Sequence, residues 1–147
     1  MEAVVKLQFD LPYPPSVNHY WRRVGARTLI SRQGRAFRES VCSLLALRRL
    51  HPLEGALIVE VDVYPPDHRR RDIDNLLKSL LDALEAAGVY HDDSQIVELT
   101  IRKLEPVVDG RARVRITEAK NSMTQTNALP KTRQALEQGK GRSLEND

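Results

Sequence analysis

Asp72 and Asp74 stand one residue apart, directly after Arg69-Arg70-Arg71 and directly before Asn75-Leu76-Leu77-Lys78. A further pair, Asp92-Asp93, follows one predicted helix later. Carboxylates alone repel nucleic acid, and arginines alone only bind it. A site holding both needs a cation between carboxylate and phosphate, and Mg²⁺ is the usual ion for oxygen donors. Chemistry on a phosphate backbone is what this pattern suggests. Simpler roles exist for each residue. Asp72 or Asp74 can cap a helix, contributing about 1 kcal/mol, although that leaves the three arginines without a purpose. Lys78 shares a helix face with Asp74 and Asp82. It is either half of an exposed ion pair of roughly 0.2–0.5 kcal/mol or a cation beside a phosphate. His91 is either a mixed His/Asp metal ligand or a surface residue at a helix exit.

These residues need elements to position them. Val5, Leu7, Phe9 and Leu11 alternate with polar neighbours, which predicts a first strand that Pro14-Pro15 ends. From Tyr13 to about Ile30 the chain reads as a long polar loop, where Tyr20 and Trp21 either stack on bases or pin the loop to the core. Ser31 is a candidate N-cap for a helix to about Arg49, with Phe37, Val41, Leu44 and Leu45 on one face. The segment 56–64 is the clearest strand, with Leu57, Val59, Val61 and Val63 facing one way. A second helix begins near Asp72 or Asp74 and carries the stripe Ile73, Leu76, Leu77, Leu80, Leu81 and Leu84 to Gly88. Strands over 96–104 and 112–117 follow. The expected fold is α+β (mixed α/β): a small mixed sheet in the order β-α-β-α-β-β with two packed helices. A right-handed crossover should join one strand pair. In a regular helix the two acids at i and i+2 diverge by about 200°, so shared use of one ion requires the helix to begin late. A helix of some fourteen residues spans about 20 Å, so Asp93 reaches Asp72 only where the chain doubles back.

The 147 residues suit one domain, expected over 1–119, with a polar and mobile tail over 120–147. No apolar run is long enough for a bilayer and no secretory pattern opens the chain, so the expected setting is cytoplasmic, without a membrane. Cys42 is the only cysteine, which excludes an internal disulfide. The net charge is only +3, yet the arginines are segregated: six lie between Arg22 and Arg38 with no acid among them up to that point, and others at Arg69–Arg71 and at Arg111, Arg113 and Arg115. Segregation of this kind fits a polyanionic partner.

The run Arg69-Arg70-Arg71-Asp72-Ile73-Asp74-Asn75-Leu76-Leu77-Lys78, then Asp82-Ala83-Leu84, then Gly88 to Gln95 with Asp92-Asp93, resembles the core of RusA-type Holliday junction endonucleases. Pro14-Pro15-Ser16-Val17-Asn18 resembles that family's opening. The resemblance covers most of residues 4–118. It implies a crossover junction endodeoxyribonuclease of phage or prophage type: a homodimer that places paired nicks in four-way junction DNA. It implies Asp72, Asp74 and Asp93 as catalytic acids holding one or two Mg²⁺ per subunit, with Mn²⁺ able to substitute, and Lys78 as the essential lysine. Asn18 matches a recurrent asparagine near the site. Arg69, Arg70 and Arg71 match a basic DNA loop, to which the segment bearing Arg22, Arg23 and Arg27 is added as DNA-binding. Two other functions fit the residues taken without the resemblance: a non-catalytic DNA-binding module, and a metal-dependent hydrolase of small phosphorylated substrates.

Overall fold

A computed structural model describes residues 5–119; the segment expected to be a tail lies outside the described residues. In chain order the elements are β1 (Val5–Leu11), α1 (Val17–Tyr20), β2 (Trp21–Val24), β3 (Arg27–Ile30), α2 (Arg32–Ala46), β4 (Leu57–Tyr64), α3 (Leu77–Ala86), β5 (Ile96–Lys103) and β6 (Arg111–Glu118). Short 3₁₀ turns over Ile73–Leu76 and Asp93–Gln95 introduce α3 and β5. The fold is mixed α+β, as its alternating periodicities predict. The main sheet has the order β1-β6-β4-β5, and β2 and β3 form a separate hairpin.

The central strands are the most apolar. Leu57, Val59, Val61 and Val63 of β4 are at most 1% exposed and face the helices. Phe37, Val41 and Leu45 of α2, and Leu80, Ala83 and Leu84 of α3, complete this core. Leu44, expected on the buried face of α2, is 45% exposed. The opposite face of the sheet is charged. There Asp62 takes Arg102 and Arg115, Asp10 takes Arg113 and Arg111, and Glu60 takes Arg115. The arginines of β6 are therefore neutralised by neighbouring acids and do not form a free phosphate-tracking row.

β4 and β5 pair in parallel, with Leu57 opposite Ile96 and Val63 opposite Lys103. A parallel pair requires a crossover, and α3 provides it. That places the start of α3 at the C-terminal end of β4 and its finish at the N-terminal end of β5.

The expected loop over 13–30 contains α1 and the β2–β3 hairpin instead. Gly25, at φ +60°, makes its turn. Residues 22–29 are exposed, so the hairpin has no apolar face to mark it in the sequence. Its base is fixed by close approach: a Cβ on Gly34 would lie 2.5 Å from the carbonyl oxygen of Tyr20. Ser31 caps α2 as predicted, its hydroxyl accepting from the Gly34 N–H at 2.9 Å. No helix of the described residues is long and apolar enough to cross a membrane.

Candidate active site

Pro65 and Pro66 end β4 because proline cannot extend its ladder, and the arginine-rich loop begins there. The loop is folded by its own charges. Asp67 accepts from the Arg71 guanidinium at 2.5 Å and from the Arg69 N–H at 2.9 Å. The Arg71 bond, helped by that N–H, pulls the Asp67 carboxyl down to about 2. Lys103 donates to the Arg71 carbonyl at 3.0 Å, tying the loop to the end of β5. Arg70 is exposed and forms no ion pair among the described residues.

Asp72 occupies the N-cap position of the 3₁₀ turn in extended conformation (φ −94°, ψ 128°), yet its side chain caps nothing. Asp74 lies inside that turn, and regular α-helix begins only at Leu77. Both acids are exposed. The helix thus starts late, the condition for the two carboxylates to share a ligand, and the capping role is not realised.

Lys78 is exposed on the first turn of α3 and forms no ion pair among the described residues. Asp82, its alternative partner, is taken by Arg38 at 2.7 Å and by the Tyr20 hydroxyl. Burial opposes ionisation of Asp82, but Tyr20 and Arg38 outweigh it and hold the carboxyl below the ordinary aspartate value. The same arrangement, with burial leading, pushes Tyr20 up to about 12. Tyr20 is fully buried against the edge of Trp21, so it anchors α1 to α3 and cannot stack on a base.

Asn18, Arg69, Arg70, Arg71 and Asp72 meet around one cleft of about 770 Å³. Arg22, Arg23 and Arg27 extend the basic surface along the hairpin, exposed and without acidic partners among the described residues.

Asp93 is elsewhere. The ten residues of α3 span about 15 Å at 1.5 Å each, with Asp72 and Asp74 before one end and Asp93 after the other. Within one chain the three aspartates do not gather around a point. Among the described residues, the group whose ligand atoms lie within 4.8 Å of one another is Glu85, Asp92 and Asp93. Asp92 is also a cap, accepting from the Ser94 N–H at 2.7 Å within a capping box with Gln95; that N–H chiefly lowers its carboxyl. Glu85 accepts from the Asp93 N–H at 3.0 Å. His91 faces Glu54 at 2.8 Å and stands outside the acidic group. Sequence reasoning missed Glu85, although it lies one turn after Asp82 on the same helix. It also missed Arg38 as the partner of Asp82, which no local spacing announces.

One contrast separates the aspartates. Asp10, Asp62, Asp67 and Asp82 each hold an arginine. Asp72, Asp74 and Asp93, together with Asp92 and Asp109, hold no cationic side chain among the described residues, in a chain with 23 lysines and arginines. Exposed carboxylate oxygens with no cationic partner suit a hard divalent ion.

The model of the endodeoxyribonuclease RusA family matches residues 12–117. A relative named crossover junction endodeoxyribonuclease rusA, from Enterobacteria phage HK97, is 42% identical over 112 residues, 76% of this chain and 93% of its own. The protein of that name from Escherichia coli strain K12 is 38% identical over the same shares of both chains. That of Enterobacteria phage 82 is 39% identical, with equal coverage.

Proposed function

The chain belongs to the endodeoxyribonuclease RusA family, and from that premise we propose that it resolves four-way DNA junctions as a homodimer, by Mg²⁺-dependent paired nicking. The observation that carries the reading is the pair of exposed aspartates, Asp72 and Asp74, directly after a loop of arginines and without cationic partners among the described residues. Asp72, Asp74 and Asp93 would hold one or two Mg²⁺, and Mn²⁺ can take the same oxygen donors. The bound ion supplies activation of a water and charge stabilisation at the scissile phosphate. Lys78, without a carboxylate partner among the described residues, offsets negative charge developing on that phosphate. Arg69, Arg70, Arg71 and Asn18 hold the backbone in register at the cleft. Arg22, Arg23 and Arg27 engage a neighbouring arm through the hairpin.

Separation of Asp93 from the other two acids is met by the dimer. β5 is a free edge of the main sheet, and its sequence is self-complementary. Antiparallel pairing of two copies centred on Thr100 sets Leu99 opposite the partner's Ile101 and Glu98 opposite the partner's Arg102. The same register lays Ile96, which closely follows Asp93, beside the partner's Leu104. The partner's Lys103 in turn holds the partner's Arg71, next to Asp72 and Asp74. Each metal site would then draw Asp72 and Asp74 from one chain and Asp93 from the other.

The test is cleavage of a synthetic four-way junction and of linear duplex, with and without Mg²⁺. Junction-selective, Mg²⁺-dependent nicking is expected. Asp74→Asn should lose at least about 100-fold in rate, beyond what residues that merely orient a metal ligand cost, while junction binding survives. Mixing inactive Asp93→Asn and Asp72→Asn chains should restore one intact site per mixed dimer, and hence single nicks. Inactive mixtures would exclude the shared site. An inert wild-type protein that still binds junctions would reduce the chain to a DNA-binding module.

A further inference from the structure

The cleft beside Asp72 is larger than backbone binding requires. Its volume of about 770 Å³ falls in the range of about 300–1,000 Å³ typical of sites that enclose a small organic ligand. Arg70, exposed and without an ion pair among the described residues, can reach a phosphate from its rim without any hollow behind it. The inner wall is apolar, and Pro14, Pro15, Phe37 and Leu76 in its lining are buried. Beside the hydroxyls of Tyr13, Ser16 and Ser40, its lining offers the side-chain amides of Asn18, Gln33 and Asn75, each still free to bond a ligand among the described residues. An apolar wall suits the face of a flat heterocycle. Amides, each with donors and an acceptor, suit its hydrogen-bonding edge.

A paired base within a duplex cannot use such a site, because its faces are stacked and its edge is engaged. Extrusion costs less where stacking is already interrupted, as it is where four arms meet, than inside a continuous duplex. The cleft adjoins Asp72 itself, so a base that enters belongs to a nucleotide at the reacting phosphate.

We propose that this cleft receives one unpaired nucleobase from the nucleotide flanking the scissile phosphate, its face against Pro15 and Phe37 and its edge read by Asn18, Gln33 and Asn75. Its part in cutting rests on the nuclease reading above, whereas base entry itself does not. Base capture selects the branch point, because only there is a base available at low cost. It also gives the choice of cut position a chemical origin, since the amides favour whichever base edge they match.

The experiment places 2-aminopurine at successive positions around the exchange point of a four-way junction, with Ca²⁺ in place of Mg²⁺ to prevent cutting. Binding should raise its fluorescence several-fold at one position, as the base leaves the stack. Ala36→Trp fills the cleft from the exposed side of α2 and should abolish that rise while junction affinity stays within about twofold. Gln33→Ala, on an exposed side chain that the fold does not use, should flatten the preference among bases at the same position. In Mg²⁺, an abasic nucleotide there should slow wild-type cutting about tenfold, the scale of one lost base contact. Ala36→Trp should then cut the intact and abasic junctions equally. A silent probe at every position, or a rise that survives Ala36→Trp, overturns the proposal. A rise without any cutting by the wild-type protein overturns the nuclease reading and leaves base capture standing.

Discussion

Lys78 and Asp82 lie one turn apart on α3, and the proposed function gives chemistry to the first and support to the second. Lys78 is exposed and holds no carboxylate among the described residues, so replacing it removes no described contact. Lys78→Ala should therefore slow turnover by about 100-fold, as loss of a charge-stabilising group does, with an unchanged melting temperature. Asp82 is the opposite case. It receives Arg38 and Tyr20 and fastens α1 and α2 to α3. Asp82→Asn should cost about 1.5–3 kcal/mol at neutral pH, the usual worth of hydrogen bonds to a charged group. Its folded-state pKa is depressed, so this stabilisation is complete above the ordinary aspartate value of about 3.9 and disappears as pH falls through the folded value. Denaturation of wild type and Asp82→Asn across that acid range should converge at the low end. The sequence allowed Lys78 either partner, Asp74 or Asp82. What decided the matter was an arginine 44 residues distant from Asp82, and contacts of that range leave no mark in spacing.

At the scale of elements, the β2–β3 hairpin is the main basic projection from the fold. Arg22, Arg23 and Arg27 are exposed along it. Replacing any one of them with alanine should weaken junction binding similarly for all sequences and reduce the slope of log affinity against log salt by about 1. Binding isotherms at several salt concentrations would measure this, and an unchanged slope would remove the hairpin from the interface. The hairpin was invisible in the sequence because both of its faces are wet, which leaves no alternation to detect. β4 was the most visible element for the converse reason, since one of its faces builds the core and the other carries Glu60 and Asp62. The late start of α3 was legible as a requirement, in the sense that two acids at i and i+2 cannot converge on a regular helix. Whether the chain doubles back to bring Asp93 to Asp72 was not. The answer follows from the parallel pairing of β4 with β5, a relation between segments that no local pattern encodes, and it leaves the third acid at the far end of α3.

For the molecule as a whole, the free edge of β5 is the feature with the largest reach. Unpaired strand edges are seldom left bare in stable proteins, and Val97 and Leu99 are 64% and 36% exposed on this one. The proposed two-fold axis passes beside Thr100. Directly opposed residues of antiparallel strands lie about 4.5–5.5 Å apart at Cα, inside the range of a disulfide. Thr100→Cys, in a chain whose Cys42 is replaced by serine, should therefore cross-link almost completely to a covalent dimer under mild oxidation. A single-chain band on a non-reducing gel would exclude this edge as the interface.

With Asp72 and Asp74 before α3 and Asp93 after it, a lone copy of this protein would be an incomplete tool under the proposed shared site. Cutting would rise with the square of protein concentration when chains are scarce, and linearly only once most have found a mate. Abundance alone would then arm the enzyme, with no modification or effector needed. One crippled copy would disable one of the two cutting centres it helps to build and leave the junction half opened.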